Sequence, residues 1–127
     1  MQIDNECVRD ILFTIEEKTD FDKGCFMIGA AKKYERLKKY KEPGKVLYHV
    51  RYLLMKGMIY LPDQSIKNTY DLTPDGHEFL ANVREDNNWK KIKSVSSSIG
   101  FASLKVISAI AEGVATAAIN QQLGFSK

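Results

Sequence analysis

Two cysteines, Cys7 and Cys25, stand far apart in the 127-residue chain, and neither forms a CxxC pair. That excludes a disulfide framework and a thiol set at zinc-site spacing. Histidine is equally scarce. His49 and His77 are the only two, and His77 reads as a boundary residue near a helix start. Three prolines and eight glycines exclude collagen-like and proline-rich disordered chains. Asp4 and Glu6 open an acidic start without the basic, apolar and small-residue pattern of a secretory signal, so a cytoplasmic protein is expected. The run from Gly24 to Ala30 copies the glycine spacing of a phosphate loop, but Ala30 stands where a lysine would reach the phosphates. Glu16, Glu17, Asp20 and Asp22 are acidic neighbours with no lysine fixed beside them for metal-dependent hydrolysis. The expectation is therefore no enzyme, no metal and no cofactor.

What is present is one ordinary globular domain with an appendage: 44% of residues are hydrophobic and 28% charged. The net charge of +3 hides a strong asymmetry. Residues 1–20 carry two positive and six negative charges, residues 21–56 ten and three, residues 57–88 two and six, and residues 89–127 five and one. The basic second block is either a footprint for a polyanion or a solvated lysine-rich helix face.

Helical spacing of Val8, Ile11, Leu12 and Ile15 predicts a helix over 4–18, capped by Asp4 or Asn5. Cys25–Ile28 reads as a short strand or a buried connector. A second helix is expected over about 30–41, with Ala30, Tyr34, Leu37 and, at its end, Lys41 facing one way and Lys32, Lys33, Arg36, Lys38 and Lys39 on the remaining surface. A break at Glu42, Pro43 and Gly44 precedes a third helix over about 43–56. Val46, Leu47, Val50, Leu53 and Leu54 share one side of it, Lys45, Tyr48, Tyr52, Met55 and Lys56 the other, with His49 and Arg51 at the flanks. Gly57 supplies the stop. Strands are expected at 58–61 and 69–72 around a 62–68 loop. Thr73 and Pro74 then mark a sharp helix start, and Phe79, Leu80 and Val83 face inward. Trp89–Lys93 either extends that helix or begins another. Ser94–Gly100 reads as a polar joint before a small-residue helix over 101–123.

This order describes a mainly α fold with a small β-hairpin: a winged helix-turn-helix over 1–93 plus a C-terminal helical extension over 94–127. In such a fold the second helix of the pair projects one face outward. A helix of roughly 10–12 Å diameter fits a major groove about 12 Å wide.

Leu47–Leu53 with Gly57–Ile59, Tyr70–Leu80 and the opening Cys7–Leu12 resemble a family of short phage and Gram-positive bacterial proteins, a domain of unknown function. The resemblance covers about residues 3–93. It implies a winged-helix fold in a prophage-like setting and supplies no functional residues.

Read from the residues, the leading function is binding of double-stranded DNA, as a phage or prophage regulatory factor. The expected contact set is Lys45, Tyr48, His49, Tyr52 and Lys56 on the third helix, Lys33, Arg36, Lys38 and Lys39 on the preceding one, and Lys67 at the hairpin tip. The rival is a phage protein-interaction module that binds and inhibits a host or defence protein. Leu104, Ile107, Ile110, Ala111, Val114 and Ala118 repeat by three and four, a seam that suits packing in cis or a homodimer, with dimerisation the leading expectation. Lys105, Glu112 and several serines argue against a membrane span.

Overall fold

Asp4 sets the start of the first helix. Its Oδ1 accepts from the backbone N–H groups of Glu6 and Cys7 at 3.0 and 3.4 Å, satisfying two of the donors that a helix leaves free in its first turn. The computed structural model describes residues 1–99 and 103–124. Helix α1 (Asn5–Lys18) is buried along the whole run Cys7–Ile15, Arg9, Asp10 and Thr14 included. The single apolar stripe expected from spacing is thus only one of its covered faces. Helix α3 (Lys45–Met55), a 3-10 turn (Glu35–Leu37) and strands β1 (Cys25–Phe26) and β3 (Thr69–Leu72) pack around it.

The three strands form one antiparallel sheet in the order β1-β3-β2, with β2 at Ile59–Tyr60. Cys25 pairs with Tyr70 and Phe26 with Thr69, while Ile59 pairs with Leu72 and Tyr60 with Asp71. Cys25–Phe26 is therefore a strand, and the expected hairpin forms between β2 and β3. Helix α4 (Pro74–Val83) starts where predicted. The Thr73 hydroxyl donates to the Gly57 carbonyl at 2.6 Å and accepts from the Gly76 N–H at 3.0 Å, and the Thr73 N–H donates to the Met58 carbonyl at 3.0 Å. The approach is so close that a Cβ on Gly76 would lie 2.0 Å from that carbonyl oxygen.

The expected helix over 30–41 is not continuous. Helix α2 covers only Ala30–Lys33, and the 3-10 turn follows. Tyr34 is the break, with extended backbone at φ −103° and ψ 133°. Its side chain turns into the core, where the hydroxyl donates to the Phe26 carbonyl at 2.8 Å. Ala30, Tyr34, Leu37 and Tyr40 are all buried. The inward stripe is carried by a bent chain in place of a helix, and the bend puts Tyr40 inside in place of the expected Lys41, which is exposed.

The chain divides into two compact units, Met1–His77 and a second that begins at Glu78 within α4. In the second unit α5 (Asp86–Ile99) packs against α6 (Leu104–Gln122). Trp89–Lys93 belongs to α5, and the expected polar joint is helical as far as Ile99. The serines do not break it, because Ser96 Oγ donates to the Lys93 carbonyl at 3.0 Å and Ser98 Oγ to the Val95 carbonyl at 2.8 Å. A serine hydroxyl bonded back one turn is satisfied within the helix. Gly100 and Phe101, expected in the joint and at the next helix start, lie outside the described residues. Ser103 caps α6 by accepting from the Val106 N–H at 3.3 Å. The first unit has the element order expected of a winged helix-turn-helix, and the protein is mainly α with a small sheet.

Candidate nucleic-acid interface

Helix α3 decides what the first unit can offer. It starts two residues later than predicted, on Gly44 at φ 78°, and buries Val46, His49, Val50 and Leu53. His49 is therefore a correction: expected at an accessible flank, it is 0% exposed. Its Nε2 accepts from the Asp4 backbone N–H at 2.8 Å, and Nδ1 lies 2.8 Å from the Lys45 carbonyl. A neutral ring with its hydrogen on Nδ1 satisfies both contacts, which is why a polar residue holds a core position. With His49 inside, Leu47 and Leu54 turn outward at 38% and 36% exposure. Arg51 is exposed, its guanidinium 5.6 Å from the Tyr48 ring centroid. Tyr48 and Tyr52 are half-buried, and Met55 and Lys56 are exposed.

The basic block is split in two by its partners. Lys45 Nζ lies 2.8 Å from Asp4, Lys39 Nζ 3.0 Å from Asp10, and Arg36 2.7 Å from Glu17. Each of these acids sits on α1 or at its cap, so the acidic first block neutralises part of the basic second one. Partial burial works to raise the Asp4 carboxyl. The Lys45 hydrogen bond, the capping N–H groups and the Lys45 charge outweigh it and hold the group below the usual carboxylate range. The same hydrogen bond raises Lys45, and the Arg36 bond lowers Glu17. The exposed Arg36–Glu17 pair contributes about 0–1 kcal/mol. The larger effect of the three pairs is to withdraw Lys45, Lys39 and Arg36 from the cations expected to meet a ligand.

Other cations stay available. Lys32, Lys41, Arg51, Lys56 and Lys67 have no acidic partner among the described residues, and Lys38 pairs only with the exposed Glu35 at 3.2 Å. Lys33 lies 5.3 Å from the Tyr34 ring centroid. Clefts flank the start of α3. One, of about 540 Å³, is rimmed by Lys32, Lys38 and Lys41. Another, of about 520 Å³, runs between Tyr48, Arg51 and Leu54 on α3 and Ile28, Asn68 and Tyr70 at the sheet. At the hairpin tip Asp63 is occupied by Ser65, whose N–H and hydroxyl donate at 3.0 and 2.6 Å.

The description "Hypothetical protein (DUF2513)" is that of the family matched by residues 2–102. The chain belongs to this family. The DUF2513 match takes in every element from α1 to α5 and ends before α6. No curated protein and no solved structure matches the chain.

Within this DUF2513 chain, sequence reasoning left Lys32, Lys41 and Arg51 out of the contact set. Arg51 was legible only through the helical phase, which the burial of His49 shifts. Of the predicted seam residues, Leu104, Ile107 and Ala111 are buried in the second unit, Ile110 and Val114 are half-buried and Ala118 is exposed. The proximal half of the seam is thus the covered one in a unit where α6 packs on α5, while Ile119 and Leu123 stay exposed. Both cysteines are free and buried, and burial pushes the Cys7 thiol up to about 12. Among the described residues no group of three or more His, Cys, Asp or Glu could hold a metal ion, and no helix is long and apolar enough to cross a membrane.

Proposed function

We propose that this chain is a winged-helix protein that binds double-stranded DNA through α3, as a non-catalytic regulatory factor in a phage or prophage setting. The observation that carries the reading is Arg51, exposed on α3 beside Tyr48 and without an acidic partner among the described residues. Arginine reads guanine edges through two parallel donors, and a tyrosine beside it suits sugar and phosphate contact. Lys32, Lys38 and Lys41 line the cleft on one side of α3, and Lys67 lies in the hairpin beside Asn68. These are the candidate phosphate contacts. Free cysteines suit a reducing cytoplasm. The resemblance to short phage proteins supports the setting. A second copy meeting through the distal part of α6 would place two α3 helices on one duplex.

Duplex affinity should fall steeply as salt rises, because phosphate contacts release counterions. Arg51→Ala with Tyr48→Ala should weaken binding by about 1–3 kcal/mol with folding intact. Lys45→Ala should act on stability and leave affinity nearly unchanged. Unaltered duplex affinity in the Arg51/Tyr48 double variant overturns the reading. Exposed Leu47, Leu54 and Met55 on the same helix favour protein contact as the second reading, and a partner retained after nuclease treatment would support it.

A further inference from the structure

The cleft between α2 and the start of α3 has a composition that duplex binding does not need. Ala30, Ala31, Pro43, Val46 and Leu47 give it an apolar floor and walls, and Lys32, Lys38 and Lys41 stand against one acid, Glu42. Its volume of about 540 Å³ falls within the roughly 300–1,000 Å³ of ligand-holding clefts. Two of its lining residues, Gly29 and Gly44, have left-handed backbone and carry no side chain, and a Cβ on either would meet nothing within 4 Å. Tyr40 lines the cleft too, while its hydroxyl is turned away to Asp10. A phosphate would engage the lysines but leave the apolar floor wet.

We propose that this cleft binds an acidic, apolar-anchored peptide segment of a partner protein. Leucine or phenylalanine side chains fill the floor, and flanking aspartates or glutamates meet Lys32, Lys38 and Lys41. The charge of the rim selects the acidic flanks, and the buried apolar area supplies the anchor. Lys32 and Lys41 have no acidic partner among the described residues, so an incoming carboxylate displaces no existing ion pair at either. Arg51 and Tyr48 lie outside this cleft. The rim lysines are shared with the candidate phosphate contacts, so the Arg51 and Tyr48 variants, which leave the cleft untouched, separate this inference from DNA binding.

The test is a titration of the full, isotope-labelled chain with a short synthetic peptide of Asp and Glu around two Leu and one Phe, at near-physiological salt. Saturable amide shifts are expected at Ala30, Ala31, Val46 and Leu47. A control peptide with Ser in place of Leu and Phe should bind about ten-fold more weakly, having lost its apolar anchor. Lys32→Glu with Lys41→Glu should weaken the parent peptide by about ten-fold or more through charge reversal, with thermal unfolding unchanged. Arg51→Ala should leave peptide binding intact. Absent saturation, shifts confined to other surfaces, an equally tight Ser peptide or an unaffected double reversal would each overturn the proposal. So would a duplex that shifts these four amides while the peptide does not, because the cleft would then be a phosphate site.

Discussion

The ring of His49 accepts a hydrogen bond from the backbone N–H of Asp4, 45 positions away, at 2.8 Å. This single bond joins the cap of α1 to the middle of α3. Because Nδ1 meets the Lys45 carbonyl on the other side, the imidazole spans both helices with no nitrogen left for a ligand. His49→Leu fills similar space but strands the Asp4 N–H. It should destabilise the fold by about 1–3 kcal/mol, the penalty of a part-buried donor without a partner. His49→Gln, which restores an acceptor, should recover part of the loss. Urea unfolding of the two variants checks this. Equal stability of His49→Leu and the parent protein would remove the residue from its structural role.

Acid should loosen both ends of α1. Asp4 and Glu17 are held below their ordinary carboxylate range. A depressed folded-state value means that the unfolded chain takes up these protons first. Their contribution is present above about pH 4 and disappears as pH falls through the lower folded-state values. Asp4→Asn keeps a capping oxygen while discarding the charge, so its urea midpoint should decline less between pH 5 and pH 3 than that of the parent protein. An identical decline in both proteins would show that the Lys45 pair contributes nothing to the acid response.

Gly76 is the tightest point between the hairpin and α4. A methyl group there would collide with the Met58 carbonyl oxygen, a backbone atom that cannot rotate away. Gly76→Ala should cost about 3 kcal/mol or prevent folding. Gly44→Ala meets open space and has only its positive φ to bear, at about 1–2 kcal/mol. Circular dichroism melts of the pair separate collision from backbone strain.

The proposed meeting of two copies through the distal half of α6 predicts a change of mass. No charged residue lies between Gly113 and Gly124, and Ile119 and Leu123 are exposed there. Light scattering should give a dimeric mass for the full chain and a monomeric one for Ile119→Glu with Leu123→Glu. A monomeric parent protein would end the dimer proposal.

Local rules made much of this fold readable. Asp4 as a cap, the stop at Gly57, the hairpin and the Thr73–Pro74 start each depend on a few neighbouring residues, and each stands where the pattern put it. The misses have distant causes. His49 enters the core because its acceptor is needed by a residue 45 positions away in the sequence. Tyr34 breaks a helix to reach the Phe26 carbonyl. Lys39, Lys45 and Arg36 look like a continuous basic face until α1 supplies an acid for each. Spacing along one segment carries no record of which oxygen or carboxylate another segment will bring, and that is also why Arg51 surfaced as the exposed arginine of α3 only in the folded chain.

Cys7 has 0% exposure on the most deeply covered helix, and Cys25 has 1% on the strand beside it. Sealed sulfur of this kind turns into a clock. An alkylating reagent must wait for α1 to come away before it can reach Cys7. The pace of labelling on native protein therefore times the opening of the first unit, and any ligand that clamps α1 against α3 will slow that pace in proportion to its grip.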